Sequence, residues 1–169
     1  MGATPKSSPG DQAIGAAAPL ADVAPVEIEI LRLDDGLATP INRHAHDAGY
    51  DLHAREEVTL ASGGGRALIP TGVAIALPVG WAGFVQPRSG LALRHGVTVL
   101  NTPGLIDAGY RDELRVILVN TDPEADYVVK RGDRIAQLVV QRVAAIRWIE
   151  VAALPEASRG AEGFGSTGR

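Results

Sequence analysis

The fold is decided by the stretch "DYVVKRGDRIAQLVVQRVAA", Asp126 to Ala145. Two apolar runs flank a polar, glycine-containing segment, Lys130 to Asp133, which predicts a hairpin turn. Ile135, Leu138 and Val140 are spaced to enter a core. The tripeptide "RGD" inside this segment is interpreted as part of the turn and not as an adhesion signal, because the chain has no cysteine and no signal-peptide pattern.

Similar short runs recur on both sides of this stretch, separated at short intervals by Gly, Pro, Asn and Asp. Such spacing predicts an all-β sandwich or jelly roll. The convincing helical candidate is "SGLALRHG", one or two turns between glycines, and no period of 20–50 residues recurs. The predicted strands are "VEIEILRL", "EEVTLAS", "RALIPTGVAIALP", "GWAGFVQP", "GVTVLN", "ELRVILVN" and "RWIEVAAL".

Composition restricts the class of protein. The 169 residues are 46% hydrophobic and only 4% aromatic, so the core is built from aliphatic side chains. No apolar run approaches the roughly 20 residues needed to span a bilayer, and we expect a soluble, cytoplasmic protein without a membrane partner. The net charge of −4 argues against nucleic acid as a partner, but it leaves room for a small phosphorylated ligand.

The chain divides into three predicted parts. Residues 1–25 are rich in Ala, Pro and Gly and predict a disordered extension, and residues 26–155 form the β domain. Residues 156–169, with "SRGAEGFGSTGR", are either a frayed tail or a mobile arm that closes over a ligand. Phe164 among glycines is a poor choice for a solvated tail and favours the arm.

The segment "QPRSGLALRHG" is suited to phosphate. Arg88 can make paired hydrogen bonds to an anion, Ser89 is a candidate N-cap, and Gly90 allows a close approach at the helix start. Taken alone, this motif fits an ordinary capped helix better than a binding site.

Three further features concern polar groups in apolar surroundings. Gln137 lies within an apolar strand, so it is either satisfied by backbone groups or faces a ligand. Asp51 in "AGYDL" is costly unless it is paired or near a metal. His44, His46 and Asp47 have no further ligand at a suitable spacing, which makes zinc improbable.

The segment "NTPGLIDAGYRDEL", Asn101 to Leu114, predicts a tight hairpin with one acid between apolar residues and one of the three tyrosines of the chain. Restricted solvation makes Asp107 a candidate general base. Tyr110 offers a flat face for a ring, and the hairpin backbone could bind the edge of a base. A plain turn with a capping Asp remains equally compatible with these residues.

Taken together and in this order, "AGYDL", "PRSGLA", "GLIDAGYRDEL", "RGDRIAQL" and "RGAEGFGSTG" resemble the five motifs of the trimeric deoxyuridine triphosphatase (dUTPase) family. The resemblance extends from about residue 26 to residue 168. It implies a distorted jelly-roll (β-clip) subunit in a homotrimer with shared active sites. It also implies Mg²⁺-dependent hydrolysis of dUTP to dUMP and pyrophosphate, which keeps uracil out of DNA and supplies dUMP for dTMP synthesis.

The resemblance also implies a role for each matching residue. Asp107 is expected to activate the water that attacks the α-phosphorus, and Asp51 to act on Mg²⁺ through water. The remaining residues are expected to bind substrate: the α- and β-phosphates by Arg88, Ser89, Gly90 and Gln137; the base and sugar by Asn101, Gly104, Ile106 and Tyr110; and the γ-phosphate and base by the arm residues Arg159, Phe164, Gly165, Ser166 and Thr167.

Two residues depart from the family pattern by adding negative charge. Asp112 stands where the family has Gly, and Glu162 replaces the first Gly of a Gly-Gly pair. Because the flanking residues match, we expect both side chains to point to solvent. Glu162→Gly should therefore change KM for dUTP by less than about tenfold.

Two other functions compete with this interpretation. A dCTP deaminase shares the fold, but its catalytic Glu has no counterpart in "LRVILVN". A non-catalytic nucleotide-binding protein would usually lack the base or the arm, and Asp107, Gln137 and Phe164 are all present.

Overall fold

The structure, a computed structural model, describes residues 25–156. Strands dominate this part of the chain, with a single short helix. The predicted all-β class is confirmed, whereas the predicted extension and arm lie outside the described residues except at their inner ends. The elements are β1 Glu29–Arg32, β2 Tyr50–His53, β3 Val58–Leu60, β4 Arg66–Pro70, β5 Val73–Ala76, β6 Trp81–Gln86, α1 Ser89–His95, β7 Val97–Val99, β8 Gly104–Ile106, β9 Arg115–Asn120, β10 Tyr127–Val129 and β11 Arg134–Arg142.

The strands form four antiparallel sheets in a jelly-roll-like arrangement. The largest has the order β2-β11-β6-β8, and a three-stranded sheet has the order β4-β9-β7. Two strand pairs, β1-β5 and β3-β10, complete the layers. Most neighbours in these sheets are distant in sequence, so the fold depends on long-range pairing.

Aliphatic side chains from several sheets meet in one core. Leu52, Ile69, Leu118 and Ile135 are each at most 2% exposed. Burying each such side chain contributes about 1.5–3 kcal/mol relative to leaving it exposed. Leu91, on α1, is also buried, so the helix is anchored to the body by one apolar contact. In the part described, residues 25–156, no helix is long and apolar enough to cross a membrane.

Three strand predictions need correction. The run from Arg66 to Pro78 is two strands, because the backbone breaks at Thr71 and Gly72, where Gly72 has φ +75°. β1 is exposed along its whole length instead of half-buried. Residues 147–154 form no strand, since none of the strands described within residues 25–156 pairs with them, and Trp148 is 87% exposed.

The segment Lys130–Asp133 is a turn, but the predicted hairpin is wrong. The Asp133 carboxylate accepts the Lys130 backbone N–H at 2.9 Å, and the Asp133 N–H donates to the Lys130 carbonyl at 3.0 Å. The strands on either side do not pair with each other: β10 pairs with β3, and β11 pairs with β2 and β6. The turn therefore carries the chain from one sheet to another.

Candidate active site

A polar cavity of about 450 Å³ lies where β2, β11 and the start of α1 meet. Three arginines outnumber two aspartates among its lining residues, so we call it the cationic cavity. An excess of guanidinium groups in a concave site attracts anions. The lining residues are Arg43, Asp47, Ala48, Gly49, Asp51, Arg88, Ser89, Gly90, Arg134, Gln137 and Val139.

Arg88 is fixed at the junction of β6 and α1. Its backbone is extended (φ −97°, ψ 121°) at the N-cap position, and its Nη1 donates to the Arg134 carbonyl at 2.8 Å. The expected N-cap role of Ser89 is wrong, because Ser89 is the first helical residue and no side chain caps the helix. Ser89 and Gly90 nevertheless line the cavity beside Arg88, as the phosphate interpretation requires.

Asp51 is paired, which explains how a buried carboxylate is tolerated there. Its Oδ2 lies 3.0 Å from Arg134 Nη1 and 3.5 Å from Arg43 Nε, and its Oδ1 lies 3.4 Å from Arg88 Nε. Burial, followed by the positive charge of Arg134, lowers the pKa of Arg88. Asp51 therefore supplies one negative charge against three positive guanidinium groups. An anionic ligand would compensate the remaining positive charge.

The Gln137 side chain is hydrogen-bonded to a backbone group and also borders the cationic cavity. Its Nε2 donates to the Pro87 carbonyl at 3.1 Å, and its side chain lines the cationic cavity. A Cβ on Gly49 would collide with Gln137 Oε1, so the glycine of "AGYDL" leaves room for this side chain. The amide is thus held beside Arg88 and is aimed at the same space.

The sequence reasoning missed Arg43 and Arg134. Arg134 and Gln137 are three residues apart, which would place them on opposite faces of a regular strand. The pairing of β11 with β2 shifts register between Arg134 and Ala136, and this irregularity brings both side chains to the cavity. A bulge of this kind leaves no reliable signal in the sequence, although the density of arginines around the motifs was visible.

A second cavity of about 290 Å³ lies near β7, β8 and β9. Most of its lining residues are aliphatic, and we call it the base pocket because its size suits a single ring. Of the predicted residues it contains Asn101, Gly104, Ile106, Asp107 and Tyr110. The others are Leu68, Val85, Val99, Leu105, Arg115, Val116 and Ile117.

The predicted hairpin at the base pocket differs from the observed pairing. β7 pairs with β9, whereas β8 pairs with β6, so the two strands belong to different sheets. The connection between them contains a cis peptide bond at Thr102–Pro103. A Cβ on Gly104 would lie 3.3 Å from both Asn101 Nδ2 and Val85 Cβ, so backbone lines the pocket closely at that point.

Asp107 and Tyr110 lie on the turn that follows β8. The Tyr110 backbone N–H donates to the Asp107 carbonyl at 3.0 Å, and the Tyr110 hydroxyl donates to the Glu113 carbonyl at 2.9 Å. Asp107 is exposed, contrary to the expected restriction of its solvation. Its position at the rim of the pocket leaves the carboxylate open to a group arriving from outside the chain.

A single chain does not bring the two cavities together. They share no lining residue: the cationic cavity is lined largely from β2, β11 and the start of α1, and the second cavity largely from β6, β8 and β9. Ile106, next to Asp107, pairs with Gly83 on β6, and Arg88 follows Gly83 by five residues, roughly 16 Å along an extended chain. Asp107 therefore lies far from Arg88 and Gln137 on its own chain. The predicted arm residues Arg159, Phe164, Gly165, Ser166 and Thr167 lie outside the described residues.

Among residues 25–156 there is no group of three or more His, Cys, Asp or Glu side chains that could hold a metal ion. His44 and Asp47 are instead engaged in a turn, where Asp47 Oδ2 accepts the His44 backbone N–H at 3.1 Å. Asp51 is the buried carboxylate of the cationic cavity. Its ion-pair contacts in the structure are with three arginines, so the carboxylate is not set up to ligate a cation directly.

An all-β fold with a cationic cavity and a separate, largely aliphatic pocket that carries one acid is the arrangement expected of a protein that binds nucleotides. The dUTPase family model matches residues 37–168 of this chain. Two relatives named deoxyuridine 5'-triphosphate nucleotidohydrolase are similar to it. That of Thermobifida fusca is 52% identical, covering 99% of this chain and 95% of the relative, and that of Mycobacterium tuberculosis (strain H37Rv) is 54% identical, covering 83% and 94%.

Solved structures agree with this. The dUTPase of Staphylococcus bacteriophage 80alpha with dUPNHPP matches with a TM-score of 0.78 and 28% identity, covering 85% of this chain and 99% of that one. A variant dUTPase of phage phi11 of S. aureus, with a structural Mg(II) ion, matches with a TM-score of 0.71 and 25% identity over 78% and 100%. The chain belongs to the dUTPase family, and its enzyme class is that of the dUTP diphosphatases.

Proposed function

We propose that this enzyme hydrolyses dUTP to dUMP and pyrophosphate, with Asp107 as the general base for a water that attacks the α-phosphorus. The observation that carries the proposal is the division of one chain into a cationic cavity and a base pocket that carries the acid. Each cavity contains the family motif residues expected of it. Relatives with the same arrangement of motifs are named for this reaction.

The complete active site would form only in a homotrimer. The separation of Asp107 and Arg88 along β6, roughly 16 Å, is too far for both residues of one chain to act on the same phosphorus. A symmetric assembly that sets the base pocket of one subunit against the cationic cavity of the next would join them. The exposure of Asp107 on the single chain supports such a junction.

The base pocket would select a deoxyuridine. Backbone at Gly104 and Ile106 and the Asn101 amide would bind the uracil edge, and the narrow space at Gly104 leaves little room for a 5-methyl group. Tyr110 would pack under the deoxyribose, where a ribose 2'-hydroxyl would be crowded. An amide and backbone groups arranged for uracil would also leave the swapped donors and acceptors of cytosine unpaired.

The cationic cavity would bind the α- and β-phosphates. Arg88 supplies charge and paired N–H donors, while Ser89, Gly90 and the Gln137 amide add directional hydrogen bonds. The arm residues Arg159, Ser166 and Thr167 would bind the γ-phosphate, with Phe164 over the base and Gly165 allowing close approach. Closure of the arm would exclude bulk water and favour the triphosphate over shorter ligands.

Magnesium would be carried largely by the triphosphate, with Asp51 acting on it through water. A bound Mg²⁺ neutralises charge on the phosphates and on the leaving pyrophosphate. To bind a water molecule of the hydrated Mg²⁺, the Asp51 carboxylate would have to give up part of its contact with Arg43 or Arg134. In the cell, the reaction would lower dUTP, prevent uracil incorporation into DNA and supply dUMP for dTMP synthesis, so we place the enzyme in the cytoplasm.

Two other functions remain as outcomes of experiment. Deamination of dCTP needs an acid on β9, and Arg115–Asn120 contains none. Release of ammonia from dCTP would contradict the proposal on this point. A purely nucleotide-binding role would be indicated if the protein bound a dUTP analogue but released no pyrophosphate from dUTP.

The deciding experiment measures pyrophosphate release from dUTP with Mg²⁺ for the wild type, Asp107→Ala and Asp112→Ala. Loss of a general base lowers kcat by about 10²–10⁴-fold. Asp112→Ala is the matched control, because it removes an exposed carboxylate from the same turn. If Asp107→Ala turned over as fast as the control, Asp107 would not be the base.

A further inference from the structure

Glu113 is a buried carboxylate that the proposed chemistry does not use. It directly precedes Leu114 and β9, and it is only 8% exposed. Its Oε1 accepts the Gly72 backbone N–H at 2.7 Å, and the same oxygen lies 3.4 Å from Arg55 Nη1. Because a buried carboxylate is costly unless it is paired and hydrogen-bonded, these two contacts fix where Glu113 can lie.

The backbone of Glu113 contacts the base pocket through Tyr110. The Tyr110 hydroxyl donates to the Glu113 carbonyl at 2.9 Å. This is the one hydrogen bond recorded for that hydroxyl within residues 25–156, so it determines how the ring is turned. The side chain of Glu113 holds the residue on the body, and its carbonyl holds the ring on the pocket.

The donor that binds Glu113 is itself fixed. Gly72 has φ +75°, a conformation that favours glycine. A Cβ there would lie 3.1 Å from Asp34 Cβ and 3.2 Å from Leu37 Cδ1, so the backbone is packed against both residues. Movement of the Gly72 N–H away from Glu113 is therefore restricted.

A series of ion pairs connects Glu113 to the turn Lys130–Asp133, which precedes β11. Arg55 Nε lies 3.4 Å from Asp34 Oδ2, and Arg131 binds Asp34 with both terminal nitrogens, at 2.6 and 2.9 Å. Arg131 Nη1 also donates to the Arg55 carbonyl at 2.7 Å. The hydrogen bond from Arg131 holds the pKa of Asp34 well below its usual range. The arginine of "RGD" thus belongs to a chain of ion pairs that ends at Glu113.

We propose that Glu113 is a positioning residue for Tyr110, so that discrimination between deoxyribose and ribose depends on the contacts of Glu113 with Gly72 and Arg55. The inference rests on the sugar-contacting role of Tyr110 given under the proposed function. Glu113 touches neither substrate nor reacting atoms. Its effect passes through its backbone carbonyl to the tyrosine hydroxyl.

The test measures kcat/KM for dUTP and for UTP in Glu113→Ala, Glu113→Gln, Tyr110→Phe and Tyr110→Ala. Glu113→Ala should lower the dUTP-to-UTP ratio by about five- to tenfold, as expected for one displaced hydrogen-bonded contact, mainly through KM for dUTP. Glu113→Gln keeps an acceptor for the Gly72 N–H and should recover most of the ratio. Tyr110→Phe should reproduce the loss, and the double variant Glu113→Ala/Tyr110→Phe should lose no more than either alone.

Val129→Ala is the control for a merely structural effect. Val129 is fully buried on β10, away from both cavities, so this variant loses stability while its dUTP-to-UTP ratio stays at the wild-type value. All rates are taken at a temperature where circular dichroism shows every variant folded. A ratio in Glu113→Ala equal to that of Val129→Ala would overturn the inference.

Failure of the inference and failure of the proposed function give different results. If Tyr110→Ala lowers the ratio but Glu113→Ala does not, the role of Tyr110 stands and the positioning role of Glu113 is wrong. Strict additivity in the double variant would contradict it too. If Tyr110→Ala leaves the ratio unchanged, the sugar-contacting role itself is wrong, and the inference falls with it.

Discussion

The two cavities of this chain are held together by different forces. The cationic cavity depends on charge: Asp51 contacts three arginines, and Arg88 and Gln137 are further fixed by backbone carbonyls. The base pocket depends on close approach of backbone and aliphatic side chains, with a single exposed acid at its rim. The comparison teaches that one chain builds an anion-attracting cavity from paired charges and an apolar pocket from close packing, with no residue shared between the two.

Removal of Arg88 from the cationic cavity is expected to have a large effect. Arg88→Ala should lower kcat/KM for dUTP by about 10²–10³-fold, because one preorganised charged donor to the phosphates is lost. It should also weaken binding of the analogue dUPNHPP, whereas Asp107→Asn should lower kcat and leave that binding nearly unchanged. Steady-state kinetics and calorimetry check both statements. Equal loss of analogue binding in the two variants would contradict the separation of roles.

Mixed assemblies test whether the two cavities come from different subunits. Asp107→Asn and Arg88→Ala chains, co-expressed with different tags and purified as mixed trimers, should regain about a third of the wild-type activity, since one of the three sites in each mixed trimer would join an intact Asp107 to an intact Arg88. Homogeneous samples of each variant serve as controls. Mixed samples no more active than these controls would contradict a site that joins Asp107 of one subunit to Arg88 of another.

A third prediction concerns the counter-charge in the cationic cavity. Asp51→Asn leaves Arg43, Arg88 and Arg134 without their shared anion. We expect the free energy of unfolding to fall by about 1–2 kcal/mol, because the arginines are partly exposed and solvent screens their repulsion. Inorganic pyrophosphate should then raise Tm more in Asp51→Asn than in the wild type.

Asp35→Asn is the matched control for this measurement. Its carboxylate is 94% exposed and lies 3.9 Å from Arg32 Nη2, so its removal should leave Tm within error of the wild type. If pyrophosphate shifted Tm equally in the wild type and Asp51→Asn, the cavity would not be the anion site.

The smallest effect is expected at Asp112, where the family has glycine. Its side chain is 68% exposed, its Oδ1 accepts the Glu113 N–H at 2.7 Å, and its Oδ2 lies 3.5 Å from Arg115 Nη2. The carboxylate is therefore already neutralised locally, as the expectation of a solvent-facing side chain requires. Asp112→Gly should change KM for dUTP by less than about threefold. A tenfold fall in KM would mean that Asp112 repels the substrate in the assembled enzyme.

Sequence patterns predicted the strand-rich core because alternation and aliphatic content report burial directly. They predicted α1 from two flanking glycines, and Gly96 indeed ends the helix in a left-handed conformation (φ 62°). They missed β2 and β8 as strands, because four- and three-residue segments carry too little periodicity. They also predicted a strand at 147–154, where alternation is present but no partner strand is within the chain.

The sequence by itself determined the all-β class, the aliphatic core, the turn at Lys130–Asp133 and, through five motifs in order, the family. Each of these depends on local chemistry or on residue identity. Only the tertiary structure decided that Asp107 and Arg88 lie in different cavities, that a bulge brings Arg134 and Gln137 to the same cavity, and that the Glu113 carbonyl accepts the Tyr110 hydroxyl. Strand order and register arise from pairing between segments that are distant in the sequence. The contact of two residues brought together in this way cannot be predicted from their spacing in the sequence.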